Sequence, residues 1–312
     1  MRHRRNQTCR AVSADQRWHE RDTNALTILC QTNTLRRVSV TKADRLRFSL
    51  EGTTAVVTGA CGKLGPIWVE ALLDAGASVA ALELPSASAS PAFQDLERRA
   101  AGSVRRIDCD ITDRALIESA LAHVIERVGE PRVLVNNAGV DQPPDSPGGR
   151  HHLQDIPLAD FRRMVEVNLL GTFQVTQVFG ARMAAHGGGS IINIGSLYAS
   201  VSPDPHFYDH LAGNAPFVKS PAYGASKAGV VNLTKFFATH WAGAGVRVNT
   251  LSPGGVLGGQ DDQFKAKYGA RVPLRRMAEP DDLKGPLVFL ASRASSYVTG
   301  HELRVDGGFT AW

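Results

Sequence analysis

The stretch Val56–Gly65, VVTGACGKLG, sets apolar and β-branched residues directly in front of three glycines, and no other part of the chain restricts the fold as strongly. A buried strand that ends on a glycine turn and is followed by Pro66, a residue suited to the first turn of a helix, reads as the opening of a βα unit. In such a unit the free N–H groups of the helix can face a pyrophosphate. Gly59 then allows the tight turn, Gly62 lets backbone come close to phosphate, and Gly65 lets the helix lie against the sheet. Cys61, Lys63 and Leu64 complete the expected dinucleotide-contacting turn. The spacing, G-x-x-G-x-x-G, departs from the commonest fingerprint, G-x-G-x-x-G.

The remainder repeats the unit. Ala55–Thr58, Ser78–Leu82, Val104–Ile107, Val133–Val135, Ser190–Ile194, Arg247–Leu251 and Glu302–Val305 read as seven buried strands. Between the third and fourth, Ile117, Leu121, Val124 and Val128 fall on one face of a helix over Asp113–Val128. Strands alternating with helices predict a single α/β domain with a doubly wound parallel seven-stranded sheet of Rossmann type, over residues 46–312. With 43% hydrophobic and 21% charged residues, 312 residues can bury such a core. PSASASP, Pro85–Pro91, reads as an exposed loop after the second strand.

No apolar run approaches the roughly 18 residues that a membrane helix needs. Cys9, Cys30, Cys61 and Cys109 lack C-x-x-C spacing, so neither a disulfide framework nor a zinc site is expected, and the setting is read as cytoplasmic. His151-His152 is read as loop, with no metal site. The net charge of +5 is a property of one end. Residues 1–50 hold 11 Lys or Arg against 4 Asp or Glu, and the rest hold 24 against 26. Binding to nucleic acid is therefore not expected. Residues 1–45 are read as a poorly ordered basic extension without catalytic role. An Arg-rich transit-like segment and translation begun upstream of the natural start are the other readings.

Other positions extend the dinucleotide reading. Glu83, at the end of the second strand, can accept bonds from the adenosine ribose hydroxyls. Asp110, beside Ile111 in CDIT, can hold the adenine amino group or cap the helix that starts near Asp113. In the second half, YGASK places Tyr223 and Lys227 four apart, on one helical face. A phenol is a poor acid–base group at neutral pH, and a neighbouring ammonium lowers its pKa toward the working range. Ser196, at the end of the fifth strand in IINIGS, can hydrogen-bond a reacting carbonyl or alcohol oxygen.

NNAG at 136–139, VNLLGTF with Asn168, IINIGS, YGASK, RVNTLSPGG at 247–255 and VTGHELRVDGG at 298–308 stand in an order that resembles the short-chain dehydrogenase family. NNAG, VDGG and the lack of a large trailing domain are similar to its compact, single-domain branch. The resemblance implies that Tyr223 gives or takes the proton and that Ser196 orients the substrate oxygen. It implies that Lys227 acidifies Tyr223 and holds the nicotinamide ribose, and that Asn168 fixes a water in a proton relay. Asn137, Ala138, Gly139, Pro253, Gly254 and Val256, with Tyr223 and Lys227, are implied as further cofactor contacts. Substrate contacts are expected from Ser196, Tyr198, Tyr223 and Gly255. Two positions depart from the branch: Lys63 stands at its usual middle glycine, and Gly258 where many relatives carry a threonine that contacts the nicotinamide amide.

Ser196 and Tyr223 are separated by 26 residues, more than most compact relatives have. Tyr198, Asp204, His206, Tyr208, Asp209, His210 and Asn214 make this insertion polar enough to overhang a polyhydroxylated substrate; a surface or subunit-contact loop is the other reading. With SPGGV and the FTAW terminus it resembles a branch associated with flagellin-glycan and sugar-acid biosynthesis. The expected function is NAD(H)-dependent interconversion of a secondary alcohol and a ketone on a sugar-like small molecule, by a homotetramer or homodimer. NAD is favoured over NADP because Glu83 would oppose a 2′-phosphate. The alternatives are an NADPH-dependent 3-oxoacyl-thioester reductase and a dinucleotide-sensing regulator without turnover.

Overall fold

The computed structural model describes residues 26–28, 36–38, 47–100, 102–144, 151–211 and 217–312. Residues 1–46 and 47–312 form separate units. In the first, Leu26–Ile28 and Arg36–Val38 pair as an antiparallel two-stranded ladder. The rest of the 1–45 extension lies outside the described residues, as do Cys9, Cys30 and Asn214.

In the second unit, β1 (Thr54–Thr58), β2 (Ser78–Glu83), β3 (Val104–Asp108), β4 (Pro131–Asn136), β5 (Gly189–Ile194), β6 (Val246–Pro253) and β7 (Glu302–Val305) form one sheet in the order β3-β2-β1-β4-β5-β6-β7. Every pairing is parallel. Because successive side chains of a strand point to opposite faces, the strands feed two apolar layers at once. Ala55, Val57, Val79, Ala81, Val133, Val135 and Ile192 pack on one side with Trp68, Leu72, Phe93 and Leu287. Val56, Ala80, Leu82, Leu134, Ile191 and Val248 pack on the other with Ile117, Val124, Phe179 and Phe237. The helices between strands carry these partners: α1 (Gly65–Asp74), α2 (Pro91–Arg99), α3 (Arg114–Arg127), α4 (Leu158–Val165), α5 (Thr172–Ala185), α6 (Pro221–Trp241), α7 (Asp262–Arg271) and α8 (Pro280–Ala291).

The seven expected strands are all present, yet not all are buried. β7 is half exposed along its length, and Arg105 and Asp108 of β3 face solvent. Both strands are sheet edges, paired on one side only, so their outer residues have no neighbouring strand to cover them. The expected helix over 113–128 is α3, capped by Asp113, whose carboxylate accepts from the N–H groups of Ala115 (2.8 Å) and Leu116 (3.2 Å). Asp110 is therefore not the cap. The loop after β2 ends where Ser90 caps α2 at Pro91. Among the described residues no helix is long and apolar enough to cross a membrane, and no three His, Cys, Asp or Glu side chains converge to hold a metal ion.

Candidate active site

The strand order reverses between β1 and β4, and ligands of open parallel sheets settle at the carboxyl ends of the strands beside such a reversal. A cleft of about 700 Å³ opens there. Its wall takes one contribution from the end of nearly every strand: Gly59 after β1, Glu83 on β2, Asp110 after β3, Asn137 after β4, Ser196 after β5 and Pro253 on β6.

The glycine turn is shaped by two of its three glycines. Gly59 has φ +62°, and a Cβ there would lie 2.7 Å from Ala138 Cα. At Gly65 a Cβ would meet the Ala60 carbonyl oxygen at 2.3 Å. Gly62 is less constrained, a Cβ there lying 3.3 Å from the Gly59 carbonyl oxygen, and it lines the cleft with Lys63 and Leu64. Cys61 and Gly65 are buried and do not line it, so both serve packing rather than ligand contact. Asn137 holds the turn: its Nδ2 donates to the carbonyls of Thr58 (3.0 Å) and Gly59 (2.9 Å), and its Oδ1 accepts from the Trp68 indole (2.8 Å). Its side chain is thereby engaged with protein, leaving Ala138, Gly139 and backbone to face a ligand. Glu83 is buried, and its carboxylate accepts from the N–H of Cys61 (2.9 Å) and of Leu84 (3.0 Å). Asp110 folds onto Thr112, accepting from its N–H and hydroxyl, while still lining the cleft with Ile111.

At the opposite end stand Ser196, Tyr223 and Lys227. Ser196 and Tyr223 hydroxyls are within hydrogen-bonding reach, and α6 carries Tyr223 and Lys227 one turn apart. The Lys227 ammonium sits 5.9 Å from the Tyr223 ring centre and donates to the Ile194 carbonyl at 2.7 Å. Burial holds Lys227 down to about 8 and pushes the Tyr223 phenol above its ordinary value, with the Asp141 carboxylate adding to the rise. Desolvation and Asp141 thus outweigh the Ser196 hydrogen bond, which pulls the phenol the other way.

Asn168 does not line the cleft. It is fully buried where the chain makes a wide turn, Glu166–Gly171, between α4 and α5. There its amide bridges elements, accepting from Val140 N–H (2.7 Å) and donating to the Val140 carbonyl (2.9 Å) and the Ser226 hydroxyl (3.3 Å). A buried amide must find partners, and these tie the Gly139 segment to the catalytic helix.

Two expected substrate contacts, Tyr198 and Gly255, are not among the residues that line the cleft. Gly255 donates its N–H to the Tyr268 hydroxyl at 2.5 Å and borders a separate cavity of about 150 Å³. Tyr198 packs edge-on against Tyr223 and hydrogen-bonds Tyr208. The other polar groups of the insertion are likewise engaged: Asp204 with His206 (2.8 Å), His210 with Asp261 (2.8 Å) and Asp209 with Lys267. Phe207, Tyr208 and Phe217 sink into an aromatic cluster with Phe264, Tyr268 and Phe309. The residues that sequence reasoning missed are Asp141, which lines the cleft, and Lys219, which pairs with it at 2.5 Å and lies 5.3 Å from the Tyr223 ring centre. Neither belongs to a motif; only the fold brings them together.

Comparison with known proteins agrees with this geometry. A family model described as "Enoyl-(Acyl carrier protein) reductase" matches residues 64–310. D-threitol dehydrogenase of Mycolicibacterium smegmatis is 36% identical over 270 residues, spanning 84% of this chain and 95% of that protein. NADH-dependent L-xylulose reductase of Ambrosiozyma monospora is 31% identical, spanning 85% and 97%. The solved gluconate 5-dehydrogenase of Burkholderia cenocepacia, in complex with NADP and tartrate, superposes with a TM-score of 0.73 at 30% identity over 86% of this chain and 99% of that one.

Proposed function

Because this chain belongs to the short-chain dehydrogenase/reductase family, in its compact single-domain branch, we propose that it prefers NAD(H) and works on a polyhydroxylated, sugar-like substrate. It is an oxidoreductase that acts on CH–OH groups with a nicotinamide dinucleotide, interconverting a secondary alcohol and a ketone.

The observation that carries the proposal is the spacing of two clusters along one cleft, with Ser196, Tyr223 and Lys227 at one end and Glu83 at the other. A bound nicotinamide supplies or takes the hydride. Tyr223 supplies or takes the proton at its hydroxyl, and Ser196 Oγ orients the substrate oxygen within reach of that hydroxyl. Lys227 adds a buried cation beneath Tyr223, and Asn168 fixes the backbone against which the substrate-side wall is built. A water relay through Asn168 would use the second lone pair of its carbonyl, since Thr172 Oγ1 already donates to that oxygen at 2.9 Å.

Glu83 favours NAD. Its carboxylate is held at the end of β2, where a 2′-phosphate would bring like charge to contact distance. Arg106, on the neighbouring strand, donates its guanidinium to the carbonyls of Leu84 (3.2 Å) and Ala87 (2.7 Å). That cation is therefore engaged with protein.

The polyol and the ketose in the names of two relatives support the substrate class. We also propose a cytoplasmic homotetramer or homodimer, with residues 1–45 outside the catalytic fold. A chain beginning at Arg45 is then expected to keep the melting temperature and turnover of the full chain. The deciding experiment is a screen of polyols and ketoses for formation or consumption of NADH, run beside NADP(H) and a 3-oxoacyl thioester. Turnover of the thioester with NADPH alone would replace this reading with the acyl-reductase one.

A further inference from the structure

Lys63, which lines the cleft, reaches over Gly258. Lys63 belongs to the turn between β1 and α1, and Gly258 to the loop that follows β6. A Cβ added at Gly258 would lie 3.1 Å from Lys63 Cε and 3.2 Å from Lys63 Nζ, so the lysine end would have to give by a few tenths of an ångström, and a larger side chain would displace it further. The bare backbone at 258 thus leaves room for the lysine end to lie over it. Beside them, Gln260 lines the cleft; its Nε2 donates to the Val256 carbonyl at 3.0 Å, and its Oε1 is buried with no hydrogen-bond partner. That oxygen lies 3.5 Å from the same point above Gly258, on the side of the residue that the lysine end also approaches, and no hydrogen bond joins the two. Lys63 takes part in no ion pair among the described residues, and its extended side chain lies over Gly258.

We propose that Lys63, seated on Gly258, closes over the dinucleotide and holds its pyrophosphate, with Gln260 Oε1 as the second acceptor that keeps the ammonium in place. The inference rests on the cofactor reading above. It makes one arrangement of two departures from the compact branch: a large cationic residue at its usual middle glycine, and a glycine in the opposite loop where many relatives carry a side chain. An ammonium bridging a phosphate and a fixed amide oxygen makes charge-assisted bonds on both sides. Since the pyrophosphate is common to both dinucleotides, the contact adds affinity without choosing between them.

The test is equilibrium binding of NADH and of NADPH to the full chain, followed by fluorescence, with thermal melts as the control for folding. Lys63→Ala is expected to weaken NADH about 5- to 10-fold and NADPH by the same factor, and to flatten the salt dependence of both. Gly258→Val, which adds bulk and no hydrogen bond, is expected to weaken NADH by a similar factor. In the Lys63→Ala background it is expected to add little, because no lysine is left to displace. Additive losses in the double variant, an unchanged affinity in Lys63→Ala, or a loss confined to NADPH would each overturn the proposal while leaving the cofactor reading intact. Absence of binding of either dinucleotide to the unaltered chain would overturn both.

Discussion

The turn between β1 and α1 and the insertion between Ser196 and Tyr223 both border the cleft, and they are built on opposite principles. The turn is fixed by backbone. Gly59 at φ +62°, the close approach at Gly65, the amide of Asn137 and the carboxylate of Glu83 determine its path. The insertion is fixed by side chains from distant segments. Phe207 touches Phe264, Tyr268 and Phe309, at ring-centre distances of 5.9, 5.5 and 6.2 Å. A path set by backbone demands particular residues at particular spacings, and so it is written locally. A path set by an aromatic cluster demands only enough apolar volume, which many sequences supply.

The sharpest way to separate the two regions is to disable the chemistry and leave both walls standing. Tyr223→Phe keeps the ring that Tyr198 and Lys219 pack against and removes the proton carrier. Turnover is expected to fall by about 100- to 10,000-fold, on the order of 4 kcal/mol, with NADH affinity nearly unchanged. Near-normal turnover would remove Tyr223 from the proposed mechanism.

The insertion is expected to respond in stability rather than in cofactor binding. Phe207→Ala deletes the ring at the centre of the aromatic cluster and should cost about 3 kcal/mol, lowering the melting temperature by about 6–10 °C. NADH affinity should hold. An equal loss of NADH affinity would mean that the two walls are coupled and that the distinction drawn between them is wrong.

A third measurement concerns the charge that the insertion brings to the site through Lys219. Asp141 raises Tyr223 and supports Lys227 near its value of about 8. Alcohol oxidation needs Tyr223 to accept a proton, so its rate rises with pH toward the phenol's raised pKa. Asp141→Asn removes a negative charge that opposes the phenolate and releases the Lys219 ammonium beside the ring. Both changes favour the phenolate. The rising limb of the oxidation profile should move to lower pH by about one unit, worth about 1.4 kcal/mol. Lys227, no longer supported, should also lose its proton at lower pH. A limb that stays in place would show that Asp141 acts through position and not charge.

These expectations follow how the chain could be read. Tyr223, Lys227, Ser196 and Glu83 were legible because each sits at a fixed offset from a strand end or on one helical face, and strand ends of a parallel sheet converge. Asn168 was legible as a position but not as a brace, since its partners Val140 and Ser226 belong to other elements. Tyr198 and Gly255 were expected against the substrate, Tyr198 as one of the insertion's hydrogen-bonding groups; their polar atoms are engaged with Tyr208 and Tyr268, partners that no local pattern announces. The polarity of the insertion was real, but Asp204, Asp209 and His210 are engaged by His206, Lys267 and Asp261 within the protein. Composition counts hydrogen-bonding groups and is silent on which of them are already engaged.

The smallest expected effect lies in the turn, at Glu83, which with Asn137 anchors it by a side chain. Glu83→Gln keeps an acceptor for the Cys61 N–H and removes the negative charge, so the turn should hold while the electrostatic penalty on a 2′-phosphate disappears. Glu83→Ala would remove both and leave the Cys61 N–H without its partner. For a carboxylate that is itself buried but lines an open cleft, facing a ligand that water also reaches, the penalty is about 1 kcal/mol. The ratio of kcat/KM for NAD to that for NADP should therefore fall about fivefold in Glu83→Gln, almost entirely through recovered use of NADP. The melting temperature should change little in Glu83→Gln and should fall in Glu83→Ala. If the unaltered chain favours NADP tenfold, Glu83 does not select the cofactor and the acyl-reductase reading gains. If Glu83→Gln loses NAD and NADP alike, the carboxylate acts on the turn alone, and this wall too is held by a distant side chain.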